Sequence, residues 1–162
     1  MDHTSILIVD TGPIWELVLY RAVNQLHFES LRRKLTYLVS PEAYQNCGNY
    51  VSSFRQRTTS ASVVAELNNH IAKTEKKGYR QFWTIVRDEF ERMGMDEQVV
   101  RLLDLDLELL IRFGPIDVSL LEMARRAVNR PVILTLDTKL DAECKRAQVG
   151  SEMLSQVCFG TR

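Results

Sequence analysis

Two short apolar runs, rich in β-branched residues, constrain the fold of this chain more than any other feature. The first, Ile6–Val9, has the sequence Ile-Leu-Ile-Val, and the second, over residues 132–136, has the sequence Val-Ile-Leu-Thr-Leu. Continuous apolar runs of this length are typical of strands buried on both faces of a parallel sheet. Between them, apolar residues recur at helical spacing, so that strands alternate with helices. The sequence therefore predicts a three-layer α/β/α fold with a central parallel sheet.

Length and composition indicate one globular domain. The chain has 162 residues, and no linker, repeat or low-complexity stretch divides it, so we expect residues 1–162 to form a single domain. Hydrophobic residues make up 45% and charged residues 26%, which excludes disordered, collagenous and coiled-coil proteins. No stretch approaches the ~20 apolar residues of a membrane span, so no membrane association is expected.

The cysteines and the charge balance further narrow the class of protein and its cellular compartment. Three cysteines at unrelated spacings, Cys47, Cys144 and Cys158, fit neither a disulfide framework nor a zinc ribbon. Reduced thiols and an N-terminal apolar run too short for a signal peptide predict a cytoplasmic protein. Lys plus Arg and Asp plus Glu each number 21. This balance argues against a polybasic nucleic-acid binder, while leaving room for a nucleic acid held in one local groove.

The spacing of apolar residues and the turn residues predict the remaining elements. Further strands are expected over residues 57–60, 99–105 and 153–159. Helices are expected to begin near Pro13, at Ser40, at Ser60 or Ser62, near Gly78, at Leu107 and near Asp117. Residues 26–39 carry leucines at helical spacing but stay unassigned.

Four acidic residues are placed where a parallel sheet gathers functional groups, in the crevice beyond the carboxyl ends of its strands. Asp10 and Asp137 follow the two apolar runs, so their carboxylates lie side by side if those strands are neighbours. Glu66 and Asp117 lie in the first turns of predicted helices that reach the same crevice. Taken alone, Asp117 is explained as a helix cap, Glu66 as a solvated helix residue, and an aspartate after a strand as a turn residue. Together, clustered carboxylates repel one another and favour a bound Mg²⁺ or Mn²⁺.

The segments around these acids resemble, in their order along the chain, the four acidic motifs of PIN-domain proteins. They are Ile-Leu-Ile-Val-Asp-Thr-Gly-Pro, Ser-Ala-Ser-Val-Val-Ala-Glu-Leu, Gly-Pro-Ile-Asp-Val-Ser-Leu-Leu-Glu-Met-Ala-Arg-Arg and Pro-Val-Ile-Leu-Thr-Leu-Asp-Thr-Lys-Leu. The resemblance covers about residues 5–150. It implies a metal-dependent endoribonuclease with the PIN-like fold, of the kind found as VapC-type toxins of bacterial toxin–antitoxin pairs. It also implies an RNA substrate, an antitoxin partner and a homodimer.

The resemblance assigns roles to individual residues. The catalytic acids and ligands of one or two Mg²⁺ or Mn²⁺ ions would be Asp10, Glu66, Asp117 and Asp137. Thr135 matches a hydroxyl that supports the acidic cluster, and Thr11 is expected to do the same. Asp141 is either an auxiliary acid or a solvated helix residue. In this chemistry the metal ion activates water, so no catalytic His or Cys is required. The histidines, His3, His27 and His70, have no recognisable metal or triad spacing, and His70 is expected to be an exposed helix residue.

RNA phosphates can approach an acidic crevice only if cations lie around it. The candidates are Arg32, Arg33 and Lys34; Arg55 and Arg57; Lys73, Lys76 and Lys77; and Arg125, Arg126 and Arg130. Each group is also explained as a solvated charged face.

Two other functions remain open at this point. One is a catalytically silent PIN-like protein-binding module, which the presence of all four acids disfavours. The other is a Mg²⁺-dependent phosphatase of the haloacid dehalogenase type, in which a second aspartate is expected two residues after the first. Gly12 occupies that position here. Neither of the glycine-rich nucleotide-binding loops, Gly-x-x-x-x-Gly-Lys and Gly-x-Gly-x-x-Gly, is present in the sequence.

Overall fold

The computed structural model describes residues 5–74 and 78–160. Over these residues a five-stranded, entirely parallel sheet has the strand order β3-β2-β1-β4-β5. The strands are β1 (Ile6–Val9), β2 (Gln56–Ser60), β3 (Met95–Gln98), β4 (Pro131–Thr135) and β5 (Gly150–Met153). The order runs outward from β1 in both directions, so β1 and β4 are neighbours although about 120 residues separate them. Asp10 and Asp137 therefore follow adjacent strands, as the predicted site requires.

Helices flank this sheet and confirm the predicted α/β class. They are α1 (Thr11–Gln25), α2 (Pro41–Ser52), α3 (Ala61–Thr74), α4 (Tyr79–Met93), α5 (Leu107–Phe113), α6 (Pro115–Arg126), α7 (Thr138–Arg146) and α8 (Leu154–Phe159). Helix α6 packs on β1, β2 and β4, while α1 contacts β4, α3 and α4. Within the part of the chain described, no helix combines the length and apolarity needed to cross a bilayer.

The two apolar runs lie at the centre of the core, as their sequence predicts. Leu7, Val9, Ile133 and Leu134 are fully buried. The expected helix boundaries also have clear physical causes. The Ser40 hydroxyl accepts a hydrogen bond from the backbone of α2, and Gly94 ends α4 in the left-handed conformation that favours glycine, with φ 55°.

The predicted strand over residues 99–105 is wrong. The strand is Met95–Gln98, which begins directly after Gly94, and the following segment contains a 3₁₀ turn at Leu102–Asp104. Strand β3 lies at the edge of the sheet and buries only Met95. Backbone groups make the pairing of β3 with β2, so the polar side chains of β3 do not prevent the strand from forming. The apolar run that follows β3 is largely exposed.

The predicted final strand over residues 153–159 is also wrong, because the strand ends at Met153 and a helix follows. The side chain of Gln156 accepts a hydrogen bond from the Met153 backbone N–H at 3.4 Å and caps α8. Leu154 and Cys158, four residues apart, are buried on one face of that helix. Short apolar runs do not distinguish a strand from a buried helical turn.

Residues 26–39, unassigned from sequence, form a 3₁₀ helix at Glu29–Lys34 followed by a segment that bends at Thr36 and Tyr37. The leucines at helical spacing, Leu31, Leu35 and Leu38, all reach the core. The bend is held by Glu16 of α1, a buried side chain that accepts hydrogen bonds from the backbone N–H groups of residues 36–38.

Candidate active site

A cleft of about 590 Å³ lies at the carboxyl end of β1 and β4. All four acids predicted from the sequence line it. They are Asp10, Glu66, Asp117 and Asp137, and they come from four places in the chain: the end of β1, helix α3, the first turn of α6 and the turn after β4. The fold therefore brings together side chains separated by up to 127 residues of sequence.

Asp10 is fixed by the turn from β1 into α1. Its Oδ1 accepts a hydrogen bond from the Thr11 backbone N–H at 2.6 Å, which caps α1, and its Oδ2 accepts one from the Thr135 hydroxyl at 2.7 Å. Burial raises the pKa of Asp10, as do the charges of Glu66 and Asp137, while the two hydrogen bonds oppose that rise. The buried carboxylate is thus held in one orientation with its charge only partly compensated.

Asp137 caps helix α7 and is tied to the same threonine. Its backbone N–H donates to the Thr135 hydroxyl oxygen at 2.9 Å, and its Oδ1 accepts from the backbone N–H groups of Lys139 (2.6 Å) and Leu140 (3.3 Å). Oδ2 of Asp137 makes no hydrogen bond to any described residue. One carboxylate oxygen at the cleft is therefore available to a ligand.

Glu66 and Asp117 are positioned by a cluster of three serines where α3 meets α6. The hydroxyl oxygens of Ser60, Ser62 and Ser119 lie 2.9 to 3.0 Å from one another. Ser60 also accepts from the Val63 backbone N–H and so begins α3, confirming it over Ser62 as the cap. The cluster places one acid from each helix at the cleft.

The pKa of Asp117, like that of Asp10, is raised in the cleft. Burial raises it to about 7, and the charges of Asp10, Asp137 and Glu66 add to the rise. Of the described residues that line the cleft, none is Lys or Arg. The negative charge of the site therefore has no cationic partner within the cleft itself.

Charge and ligand type make this cleft suitable for a hard divalent cation, since carboxylate oxygens are the ligands that Mg²⁺ and Mn²⁺ prefer. The four side chains line the cleft without being gathered around one point. Over residues 5–74 and 78–160, no group of three or more His, Cys, Asp or Glu side chains is close enough to hold a metal ion as it stands. An ion would have to draw the carboxylates together.

The three residues expected to support or supplement the acidic cluster differ in their surroundings. Thr135 is fully buried and contacts two of the four acids. The Thr11 hydroxyl is buried at the cleft and has no hydrogen-bond partner in the described structure, so this residue contributes to Asp10 through its backbone N–H. Asp141 does not line the cleft. Its carboxylate accepts hydrogen bonds from Lys145 (2.7 Å) and Ser151 (2.6 Å). Burial raises the pKa of Asp141, but the two donors outweigh it and lower the pKa, and the Ser151 bond connects α7 to β5.

Those predicted RNA-binding cations that the structure describes do not line the cleft. They are Arg32, Arg33, Lys34, Arg55, Arg57, Lys73, Arg125, Arg126 and Arg130. Arg57 lies near the start of β2, and Arg125 and Arg126 lie at the end of α6 opposite Asp117. Two of the cations are ion-paired, Arg32 with Glu29 and Arg126 with Glu122 and Asp104. Lys76, Lys77 and His3 lie outside the described residues.

The expectation that His70 is an exposed helix residue is wrong. It is half-buried, lines the cleft one helical turn after Glu66, and stacks on Trp15 with ring centroids 5.4 Å apart. Trp15 in turn stacks on Phe82, and Phe82 on Phe28. A line of ring contacts thus leads from the core to the cleft and ends at His70. The sequence signal that could have revealed it is the four-residue spacing from Glu66, which places both side chains on one face of α3.

Comparison with known proteins bears on the fold. No protein-family model matches the chain, and no curated protein matches it. Solved structures do, among them the crystal structure of VapBC2 from Rickettsia felis bound to a DNA fragment from their promoter. The matched chain of that structure is 18% identical to the present chain, and the TM-score is 0.51. The match covers 91% of the present chain and 98% of the matched chain. At this identity the likeness concerns the fold alone, and it confirms the three-layer α/β/α fold that the PIN-domain resemblance implied.

Proposed function

We propose that this protein is a metal-dependent endoribonuclease that hydrolyses RNA phosphodiester bonds in the acidic cleft. One observation carries the proposal: four carboxylates from four separate elements line a single cleft, and no Lys or Arg accompanies them among its described lining residues. Such an arrangement is costly to the folded protein unless a cation binds there. It is therefore better explained by function than by stability.

The cofactor would be Mg²⁺ or Mn²⁺, held by Asp10, Glu66, Asp117 and Asp137. When bound, such an ion lowers the pKa of water and stabilises negative charge on a phosphodiester. The contribution of the chain is to hold the carboxylates in place. Asp10 and Asp137 are fixed through Thr135, whereas Glu66 and Asp117 make no side-chain hydrogen bond to a described residue and are free to turn toward an ion.

The chemistry of the remaining nucleophiles supports a mechanism without a covalent intermediate on cysteine. Cys47, Cys144 and Cys158 are all buried, and burial raises the pKa of their thiols to about 12, about 12 and about 11. At neutral pH these side chains are thiols rather than reactive thiolates.

A role as the toxin of a toxin–antitoxin pair forms part of the proposal. It is supported by the fold shared with VapBC2 and by an apolar surface on residues 99–111. The exposed side chains of that surface are Val99, Leu102, Leu103, Leu107 and Ile111. Exposed apolar side chains concentrated in one segment of the chain are candidates for a protein–protein contact. Partner binding and nuclease activity are compatible, because these side chains do not line the acidic cleft.

The test is cleavage of a mixed RNA pool with Mn²⁺ or Mg²⁺ and with EDTA, comparing the parent, Asp117→Asn and a matched control, Asp96→Asn. Asp96 is exposed on β3, and its side chain makes no hydrogen bond or ion pair to a described residue. We expect cleavage by the parent and by Asp96→Asn, and none with EDTA or with Asp117→Asn. Equal cleavage rates for Asp117→Asn and the parent would overturn the proposal, as would the absence of cleavage from every reaction.

A further inference from the structure

A second groove, with basic walls, adjoins the acidic cleft. It has a volume of about 370 Å³ and is lined by Arg112, Phe113, Lys139, Ala142 and Arg146. Phe113 lines both the groove and the cleft, so the two adjoin at that residue. None of the three cations belongs to the basic clusters predicted from the sequence. Their grouping depends on the end of α5 and one face of α7 lining the same groove, which no sequence spacing indicates.

Two elements supply the basic side chains. Arg112 is in the last turn of α5, and its guanidinium lies 5.0 Å from the centroid of the Phe113 ring. Lys139 and Arg146 lie at opposite ends of α7, with Ala142 between them. Lys139, Ala142 and Arg146 are three and then four residues apart, which places them on one face of α7. Lys139 and Arg146 are therefore separated by ~10 Å along the helix axis. The groove thus carries cations along its length rather than at one point.

Most of this positive charge is uncommitted. Neither Arg112 nor Lys139 forms a salt bridge with any residue in the described ranges, whereas Arg146 pairs with Glu143. Lys139 is two residues from Asp137, so basic and acidic surfaces meet at the start of α7. A polyanion that is repelled by the carboxylates would be attracted by the adjoining cations.

We propose that this basic groove binds the phosphate backbone of single-stranded RNA next to the bond held in the acidic cleft. The inference rests on the proposed ribonuclease function and names the path of its substrate. Cations that follow a groove, with an aromatic ring at its edge, are typical of sites for single strands, in which phosphates are neutralised and bases stack. Phe113 is half-buried at the junction and offers such a ring.

The experiment compares two double variants with the same change in net charge. Arg112→Gln/Lys139→Gln removes the two unpaired groove cations. Arg55→Gln/Arg130→Gln removes two exposed cations that precede β2 and β4, at the opposite edge of the sheet. The sequence offers both as RNA-binding candidates, but they line neither the cleft nor the groove and therefore serve as the control. All four residues are exposed, so both proteins are expected to fold, which circular dichroism checks. Binding of a labelled single-stranded RNA is measured by fluorescence anisotropy at several salt concentrations, in an Asp117→Asn background at constant Mg²⁺.

We expect the groove variant to bind at least 10-fold more weakly than its Asp117→Asn background. Its salt dependence, the slope of log affinity against log salt concentration, should fall by about 1.4, or ~0.7 for each phosphate that is no longer neutralised. The opposite-edge variant should stay within twofold of the background. Equal reductions of affinity in the two variants, or a larger reduction in the opposite-edge variant, would overturn the inference. If the parent cleaves RNA while the groove variant binds normally, only the inference fails. If RNA is neither cleaved nor bound, the proposed function fails with it.

Discussion

The hydroxyl of Thr135 donates a 2.7 Å hydrogen bond to Oδ2 of Asp10 and accepts a 2.9 Å hydrogen bond from the backbone N–H of Asp137. A single fully buried side chain of β4 therefore connects the two acids that follow β1 and β4. Because Asp10 is only 7% exposed, water cannot readily replace this donor. The geometry of half the acidic site depends on it.

Replacing Thr135 should disturb both stability and the site. Thr135→Val keeps the volume but leaves Oδ2 of Asp10 without a donor, so we expect a decrease of about 1–3 kcal/mol in the free energy of unfolding. Mn²⁺ affinity should fall as well, because Asp10 is no longer oriented. Urea denaturation and calorimetric titration with Mn²⁺ measure the two effects. Thr135→Ser, which retains the hydroxyl, should lie close to the parent in both. A Val variant indistinguishable from the parent would show that the hydrogen bond is unimportant.

The raised pKa of Asp117 makes a prediction about metal-free protein. Its pKa is about 7 in the folded state, against 3.8 for an unperturbed aspartate, so the folded state binds the proton more tightly than the unfolded state. The stabilising contribution is complete below about pH 4 and disappears as the pH rises to about 7. Discounted for partial exposure of the side chain, the change is about 1–2 kcal/mol.

Asp117→Asn removes this titration. In EDTA the variant should gain stability relative to the parent as the pH is raised from 5 to 8, which urea denaturation at the two pH values measures. Titrating groups outside the cleft are shared by both proteins and cancel in the difference. If the stability difference between variant and parent is the same at both pH values, Asp117 does not titrate in this window.

The acids of the site were predictable because the signal for each is local. Asp10 and Asp137 directly follow apolar runs whose β-branched residues favour buried strands, and in a parallel sheet all strands point toward the same edge. The same reasoning argues against Arg57 as a residue that binds RNA at the acidic cleft. Arg57 lies near the start of β2, and the cleft lies beyond the ends of the strands. Local pattern therefore assigns a residue to one end of the sheet.

The other surroundings of the site depend on packing between elements. His70 reaches the cleft because α3 packs beside α1 and brings the ring onto Trp15. Arg112 and Lys139 line one groove although 27 residues of sequence separate them. The edge strand β3 was missed for a different reason, since backbone pairing alone holds its polar residues in the sheet. Such features arise from tertiary contacts between residues that are far apart in the sequence. Local sequence patterns do not indicate these contacts.

His70 should contribute to RNA binding through its ring. If an unpaired base stacks on it at the cleft, His70→Ala should weaken single-stranded RNA binding by roughly 5- to 150-fold, the range that corresponds to about 1–3 kcal/mol of stacking. His70→Phe should restore most of the affinity, because it keeps an aromatic face. Anisotropy titrations measure both, with Asn69→Ala as the control, since Asn69 is exposed on the same helix and does not line the cleft. Weak binding by the Phe variant as well as the Ala variant would indicate a role other than stacking.

Glu16, which does not line the cleft, should be a large contributor to stability. Its buried carboxylate accepts hydrogen bonds from the backbone N–H groups of Thr36 (2.9 Å), Tyr37 (3.0 Å) and Leu38 (3.0 Å). Glu16→Ala leaves three donors without an acceptor, and we expect a decrease of about 2–5 kcal/mol in the free energy of unfolding. Because the segment is held by this side chain, amide hydrogens 36–38 should also exchange faster, by a larger factor than amides in the central strands.

Glu16→Gln sharpens this test, since the amide keeps one acceptor oxygen and turns a donor toward the remaining N–H groups. Its stability should therefore lie between those of Glu16→Ala and the parent. Glu91→Gln, at an exposed position of α4, makes the same chemical change and should alter stability by less than about 0.5 kcal/mol. Urea denaturation ranks the four proteins, and hydrogen exchange locates the change. Normal protection of residues 36–38 in Glu16→Ala would mean that core contacts of Leu35 and Leu38, rather than Glu16, hold the segment in place.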